Sequence, residues 1–230
     1  MRINWIKHVF FTVIIVLIGI AIYYLYGDQD ERTEVLAATR REENIVSEFS
    51  IGISGYDTIN PILSSSRDIQ YISKLIYRSL LRVTPEFRIE NDLVLEWSRL
   101  NNQAYLIRIQ EGIHWHDGTL LTGHDVKFTI DGIKNLQVNS IYRENVQYIS
   151  RVEVIDDYLI RIDLDREVPF FEYMLTFPIL SREAYNEYTL ESKEELPVGT
   201  GEYRIAEMNE SVIVLERDTV ADRVDTNRRV

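Results

Sequence analysis

The 230-residue sequence predicts an α+β body with strands in the majority, behind one apolar N-terminal helix. Three observations predict it. Stretches with period-two alternation outnumber the two with helical spacing, turn signals separate them, and residues 9–26 form one uncharged run. Hydrophobic residues at 45% and charged residues at 27% are globular proportions, and the length allows a sizeable core. Cysteine is absent, which removes disulfide frameworks, thiolate zinc sites and cysteine nucleophiles.

As a helix, residues 9–26 would be about 27 Å long, near the ~30 Å hydrocarbon thickness of a bilayer. Trp5 before the run and Tyr23, Tyr24 and Tyr26 at its end suit the two interfaces. Arg2 and Lys7 precede it and Asp28, Asp30 and Glu31 follow, an order that keeps the N-terminus cytoplasmic and the body outside. A cleaved secretory signal is the competing reading. Its apolar region is usually shorter and ends in a small-x-small site, whereas this run closes in YYLYGD, with Ala37 and Ala38 the later candidates for processing. Residues 1–26 are therefore expected to be a transmembrane signal anchor and 27–47 a charged linker. Beyond residue 26 the chain carries a net charge of −14, an unfavourable balance for nucleic acid, whose binding depends on Lys and Arg neutralising phosphates.

In the body, Phe49, Ile51 and Ile53 alternate with polar or small residues and predict a strand over 48–54, ended by Gly55, Asn60 and Pro61. Ser64, Ser65 and Ser66 offer a cap, and Ile69, Ile72, Ile76 and Leu80 recur at helical spacing, predicting a helix over 68–81. Strands follow over 86–90, 93–97 and 104–110, the last with Tyr105, Ile107 and Ile109 on one face. Asp117-Gly118 is a turn, and Thr122 with Asp125 makes a capping box for a helix over 123–134. Residues 151–155 and 159–164 read as a hairpin about Asp156-Asp157. Pro169 and Pro178 bracket the aromatic run PFFEYMLTFP, and Ser181 is placed to cap a short helix reaching 188. The turn Pro197-Val198-Gly199-Thr200-Gly201 leads into strands over 202–207 and 212–217.

Little in the sequence points to bond-making chemistry. His114, His116 and His124 fall within eleven residues. His114 and His116 would share a strand face, as zinc ligands can, but a solvent-facing edge beside a turn explains them equally well. Asp156-Asp157, Asp163 with Asp165, and Glu194-Glu195 are paired carboxylates without surroundings that would push two pKa values apart. Gly199-Thr200-Gly201 lacks the rest of a dinucleotide fingerprint, and no Gly-x-Ser-x-Gly elbow or nucleophile–base constellation marks a hydrolase. The expectation is a protein without catalytic residues, metal or cofactor. Trp97, Trp115, Phe170, Phe171, Tyr173 and Phe177 read mainly as core, the remainder being free to wall a cleft.

Four ordered blocks carry a resemblance: SGYDTINPILSSSRDIQYISKLIYRSLLRV from Ser54, LVLEWSRLNNQAYLIRIQEGIHWHDGTLLTGHDVKFTID from Leu93, RVEVIDDYLIRIDLDREVPFFEYMLTFPIL from Arg151, and PVGTGEYRI from Pro197. Together they resemble the N-terminal half of the family-5 extracellular solute-binding proteins, the oligopeptide and dipeptide receptors of ABC importers. The resemblance implies a type II periplasmic-binding-protein-like fold: a discontinuous partial lobe I over 48–78 and 168–217, an accessory domain over 79–167, and a charged tail over 218–230. It implies a peptide ligand, importer permease subunits as partners and an extracytoplasmic body; the expected anchoring at the cell membrane by the chain's own helix departs from family members, most of which are lipoproteins or cleaved periplasmic proteins. Family members run longer and have a second lobe. The chain therefore reads as truncated, and a divergent domain that needs a complementary chain, or captures no solute, is the alternative. The residues expected on the cleft wall are Ser64, Ser65, Arg67 and Tyr71 with Thr200 and Gly201. Trp97, Trp115, Asp117 and Gly118 are expected to be architectural, since Asp-Gly has a sufficient turn explanation.

Overall fold

The computed structural model describes residues 48–135, 139–187, 189–193 and 196–219. The expected anchor, the linker and the tail beyond 219 lie outside these residues. No helix among the described residues is long and apolar enough to cross a membrane.

Strand β1 (Glu48–Gly52) alternates exposed and half-buried residues, as one covered face requires. Its partner comes from the far end of the chain. It pairs antiparallel with β9 (Val212–Arg217), setting Phe49 opposite Leu215 and Ile51 opposite Ile213, and β9 pairs in turn with β8 (Tyr203–Met208). The order β1-β9-β8 puts the wholly buried Ile213 and Leu215 on the central strand. Glu48 lies opposite Glu216, a repulsive pairing that the Arg204 guanidinium, 2.6 Å from Glu216, relieves.

Helix α1 (Arg67–Ile76) buries Ile69, Ile72 and Ile76 and exposes Arg67, Tyr71 and Lys74, the division its spacing dictates. Ser66 holds the N-cap position without a side-chain capping bond. The helix stops five residues short of the expected 81. Leu80 is buried, as helical spacing required, but on extended chain: the Asp92 carboxylate takes the Ser79 N–H at 3.0 Å and Arg78 Nε at 2.7 Å, and Ser79 bridges Pro178. Leu81–Val83 is then strand β2, paired with β3 (Ile89–Asn91). The expected strand over 86–90 is thereby displaced, because Phe87 sits at φ 58° in the connecting turn.

Strands β4 (Val94–Asn101), β5 (Ala104–Ile109), β6 (Ile149–Asp156) and β7 (Leu159–Leu164) form an antiparallel sheet of order β4-β5-β7-β6. Helix α2 (Gly123–Lys134) packs on β6 and buries Val126, Ile130 and Ile133. Its start has the expected capping box: the Asp125 carboxylate receives the Thr122 N–H at 2.8 Å and also the Arg182 N–H at 2.9 Å. Burial pushes the Asp125 carboxyl above its ordinary range, while those donors pull it down. Gly123 is needed for close approach, since a Cβ there would lie 2.6 Å from the Ile160 side chain.

A short helix α3 (Arg143–Val146) precedes β6, and a 3-10 turn (Phe171–Leu175) drives Phe171 and Leu175 into the interior. The helix expected from Ser181 is a single turn. The Ser181 hydroxyl accepts the Glu183 and Ala184 N–H groups, after which Tyr185 pairs with Ser192 in a β-bridge. Apolar side chains from both larger sheets, α1 and α2 join one continuous core within the compact unit Ser47–Val230.

Candidate functional site

The serine loop before α1 is organised by one carboxylate. Asp57 accepts the Ser64 hydroxyl, the Ser65 N–H and hydroxyl at 2.8 Å each, and the Thr58 N–H at 2.8 Å. The Ser64 hydroxyl first, and the Ser65 and Thr58 donors after it, hold the Asp57 carboxyl well below the usual carboxylate range against the opposing effect of burial. Ser64 is wholly buried, and its hydroxyl also accepts the Ser66 N–H at 3.1 Å. Ser65, Arg67 and Tyr71 are exposed, with Lys74 Nζ 5.6 Å from the centre of the Tyr71 ring.

At the other end of α1 the glycine turn rests on the helix terminus. The Gly201 N–H donates to the Ile76 carbonyl at 2.7 Å, satisfying one of the acceptors a helix end leaves open. The approach tolerates no side chain: a Cβ on Gly199 would lie 1.9 Å from Ile76 O, and one on Gly201 2.1 Å from Leu75 O. Thr200 between them is buried, and its hydroxyl has no hydrogen-bond partner.

Residues from the Trp115 hairpin clamp this turn. The His116 N–H donates to Gly199 O at 2.9 Å, the Gly199 N–H donates to His116 Nδ1 at 3.2 Å, and His116 Nε2 lies 3.1 Å from Gly201 O. Both ring nitrogens are thus engaged by backbone, which leaves neither for a metal. His124 lies 3.8 Å from Asp157, and among the described residues no group of three or more His, Asp or Glu side chains could hold a metal ion. The hairpin itself is a tight turn: Gly118 has φ 86°, and the Asp117 carboxylate accepts the Thr119 N–H and hydroxyl at 2.9 and 2.6 Å. Trp115 is fully buried, and Trp97 lies partly exposed on β4 with its ring 6.1 Å from Tyr105.

The residues expected on one cleft wall are therefore spread along α1, with Ser64, Ser65 and Arg67 at its N-terminal end, Tyr71 at its middle, and Thr200 and Gly201 at its C-terminal end, the two ends about 15 Å apart for ten residues. Only Ser65, Arg67 and Tyr71 offer exposed side chains, because Ser64 and Thr200 are buried. Two open grooves of about 500 and 670 Å³ flank α2 and share His124, Lys127 and Asp131; none of the six expected residues lines either. Sequence reasoning missed Asp57 and the clamping role of His116. The short spacing from Asp57 to Ser64 and Ser65 was a usable signal, whereas His116 acts on residues 83 positions away, which no local pattern announces.

The class to which this α+β body of three antiparallel sheets belongs is given by its family match. Residues 88–220 match the family of bacterial extracellular solute-binding proteins, family 5, in its middle region, and the chain is a member of that family. Among curated relatives, the glutathione-binding protein GsiB of Shigella flexneri is 26% identical over 166 residues, covering 70% of this chain and 32% of the relative. The chain thus spans about a third of the length of the curated relatives it matches. In fold it is similar to the oligopeptide-binding protein AppA of Bacillus subtilis, solved with a nonapeptide (TM-score 0.67, 22% identity, 75% of this chain and 36% of AppA). It is also similar to NikZ of Campylobacter jejuni, solved with Ni(L-His) (TM-score 0.62, 22% identity, 77% of this chain and 41% of NikZ).

Proposed function

We propose that the chain is an extracytoplasmic solute-binding component of an ABC importer, with a short peptide as its solute, held at the membrane by residues 9–26. The family match over residues 88–220 carries the reading. The glutathione and nonapeptide ligands named for two similar proteins support the peptide class. In this reading β1, α1 and β8–β9 belong to lobe I and the sheet β4-β5-β7-β6 to an accessory domain, a discontinuity that the pairing of β1 with β9 supports. The exposed Ser65, Arg67 and Tyr71 face the solute. Buried Ser64, Thr200 and Gly201 hold the rim in shape. The opposite wall is supplied by residues beyond this fold, a complementary chain being the partner proposed for it, and closure of two walls about a hinge buries the solute.

Calorimetric titration of the full chain with mixed di- to pentapeptides tests the proposal. Saturable heat that Arg67→Ala and Tyr71→Ala diminish supports it; absence of heat and of any thermal shift refutes independent capture and leaves the alternative of a domain that acts only with a partner. Membrane fractionation of the full chain against a chain lacking residues 1–26 tests the anchor, which predicts release of the body on deletion.

A further inference from the structure

His116 contributes to no expected cleft residue set, yet it makes three of the contacts that hold the glycine turn in place. Its ring accepts at Nδ1 from the Gly199 N–H and has Nε2 beside the Gly201 carbonyl. Only the neutral Nε2–H tautomer satisfies both. An imidazolium donates from both nitrogens, so it would keep the Gly201 bond and set an N–H against the Gly199 N–H.

The surroundings act in both directions and on balance favour the neutral ring. Burial, the largest influence, holds the His116 ring below its ordinary histidine range. The Gly201 carbonyl, Asp218 after β9 and Asp117 on the hairpin favour the imidazolium, and Arg204 on β8 opposes it. The turn also carries an internal reason to open. The Thr200 hydroxyl is buried without a partner, an unfavourable state that ends when the turn lifts and water reaches it.

We propose that His116 is a proton-sensitive positioning residue: neutral, it pins Gly199 and Gly201 onto the end of α1; protonated, it drops the Gly199 bond and lets the turn, with Thr200, come away. The consequence for solute rests on the function proposed above, since the turn shapes the rim, and is weaker capture in mildly acidic medium.

The test is an NMR titration of the His116 ring in the full chain, from about pH 7.5 to about pH 4.5, beside hydrogen exchange of the amides over 197–201. The Nε2–H tautomer is expected at neutral pH. Gly199 protection, corrected for intrinsic exchange, should fall roughly five- to tenfold at the midpoint of the His116 titration. His116→Gln, which cannot titrate, should show no such pH dependence; if that variant fails to fold, coincidence of the two midpoints in the native chain decides. A ring that titrates without altering Gly199 exchange, or the same pH-dependent loss in His116→Gln, overturns the proposal. Titration with trialanine at both ends of the range separates the two claims. Coupled exchange with equal heat at both pH values keeps the positioning role and overturns the weaker capture in acid, and coupled exchange without heat at either pH keeps the positioning role and counts against independent capture of the peptide.

Discussion

Replacing Gly199 by alanine tests whether the glycine turn is fixed by contact with the end of α1. The new Cβ would stand 1.9 Å from the Ile76 carbonyl oxygen and 2.8 Å from the Ile76 carbonyl carbon and Cγ2, and backbone cannot step aside as a flexible side chain does. Relief requires the turn to lift. That lengthens the Gly201 N–H bond to Ile76, the His116 N–H bond to Gly199 and the Gly199 N–H bond to His116 Nδ1. Three hydrogen bonds at about 1 kcal/mol each, lost wholly or in part, together with the strain of overpacking, give about 3–5 kcal/mol. For a body of this size that lowers the melting temperature by about 6–20 °C, at roughly 2–4 °C per kcal/mol. Circular dichroism melts of the native chain and Gly199→Ala measure it, with Gly52→Ala as the control because nothing lies within 4 Å of its added methyl. A Gly199→Ala melt within about 2 °C of the native chain would refute the argument, since no overpacking of that kind costs less than about 1 kcal/mol.

Three further outcomes follow from the same geometry. Asp57→Asn should lower the unfolding free energy measured by urea titration at neutral pH by about 1 kcal/mol, discounted for the exposure of the loop. Because the folded Asp57 carboxyl lies below its ordinary 3.8, its contribution is complete above that value and lost as pH falls further, so the gap between native and variant should close below about pH 4. Thr200→Val removes an unpaired buried hydroxyl and should be neutral or stabilising by up to about 1.5 kcal/mol in chemical denaturation; a loss of more than about 1 kcal/mol would mean that the hydroxyl has a partner. Tyr77 and Tyr185 share a buried hydroxyl–hydroxyl bond, and burial raises the pKa of both phenols. Either Tyr→Phe change strands the other hydroxyl at about 1–3 kcal/mol, and the double variant should cost less than the two singles summed.

Elements governed by neighbouring residues were legible from the sequence. Helix α2 runs from Gly123 to Lys134 as the Thr122–Asp125 box and the Val126, Ile130, Ile133 spacing predict, and β5 carries Tyr105, Ile107 and Ile109 inward as alternation predicts. The failures came where distant residues competed for the same backbone. Helical spacing continues through Leu80, but Asp92 and Pro178 claim Arg78 and Ser79 first, and the chain turns extended. Pro85 marks the break between β2 and β3, in a turn closed by the Phe87 N–H on the Thr84 carbonyl, but Phe87 takes a left-handed conformation that its side chain does not favour, so the residues after the proline read as strand.

The sequence by itself determined the family, the strand-rich body and the order of its motifs, because each is written in residues close together along the chain. Tertiary structure alone decided that β1 is closed by β9, that Ser64 and Thr200 are buried rather than presented, and that His116 clamps a turn 83 residues away. The physical reason is the same in each case. Periodicity reports which face of an element is apolar, whereas the identity of what covers that face, or pairs with a given polar atom, depends on contacts that no local pattern encodes.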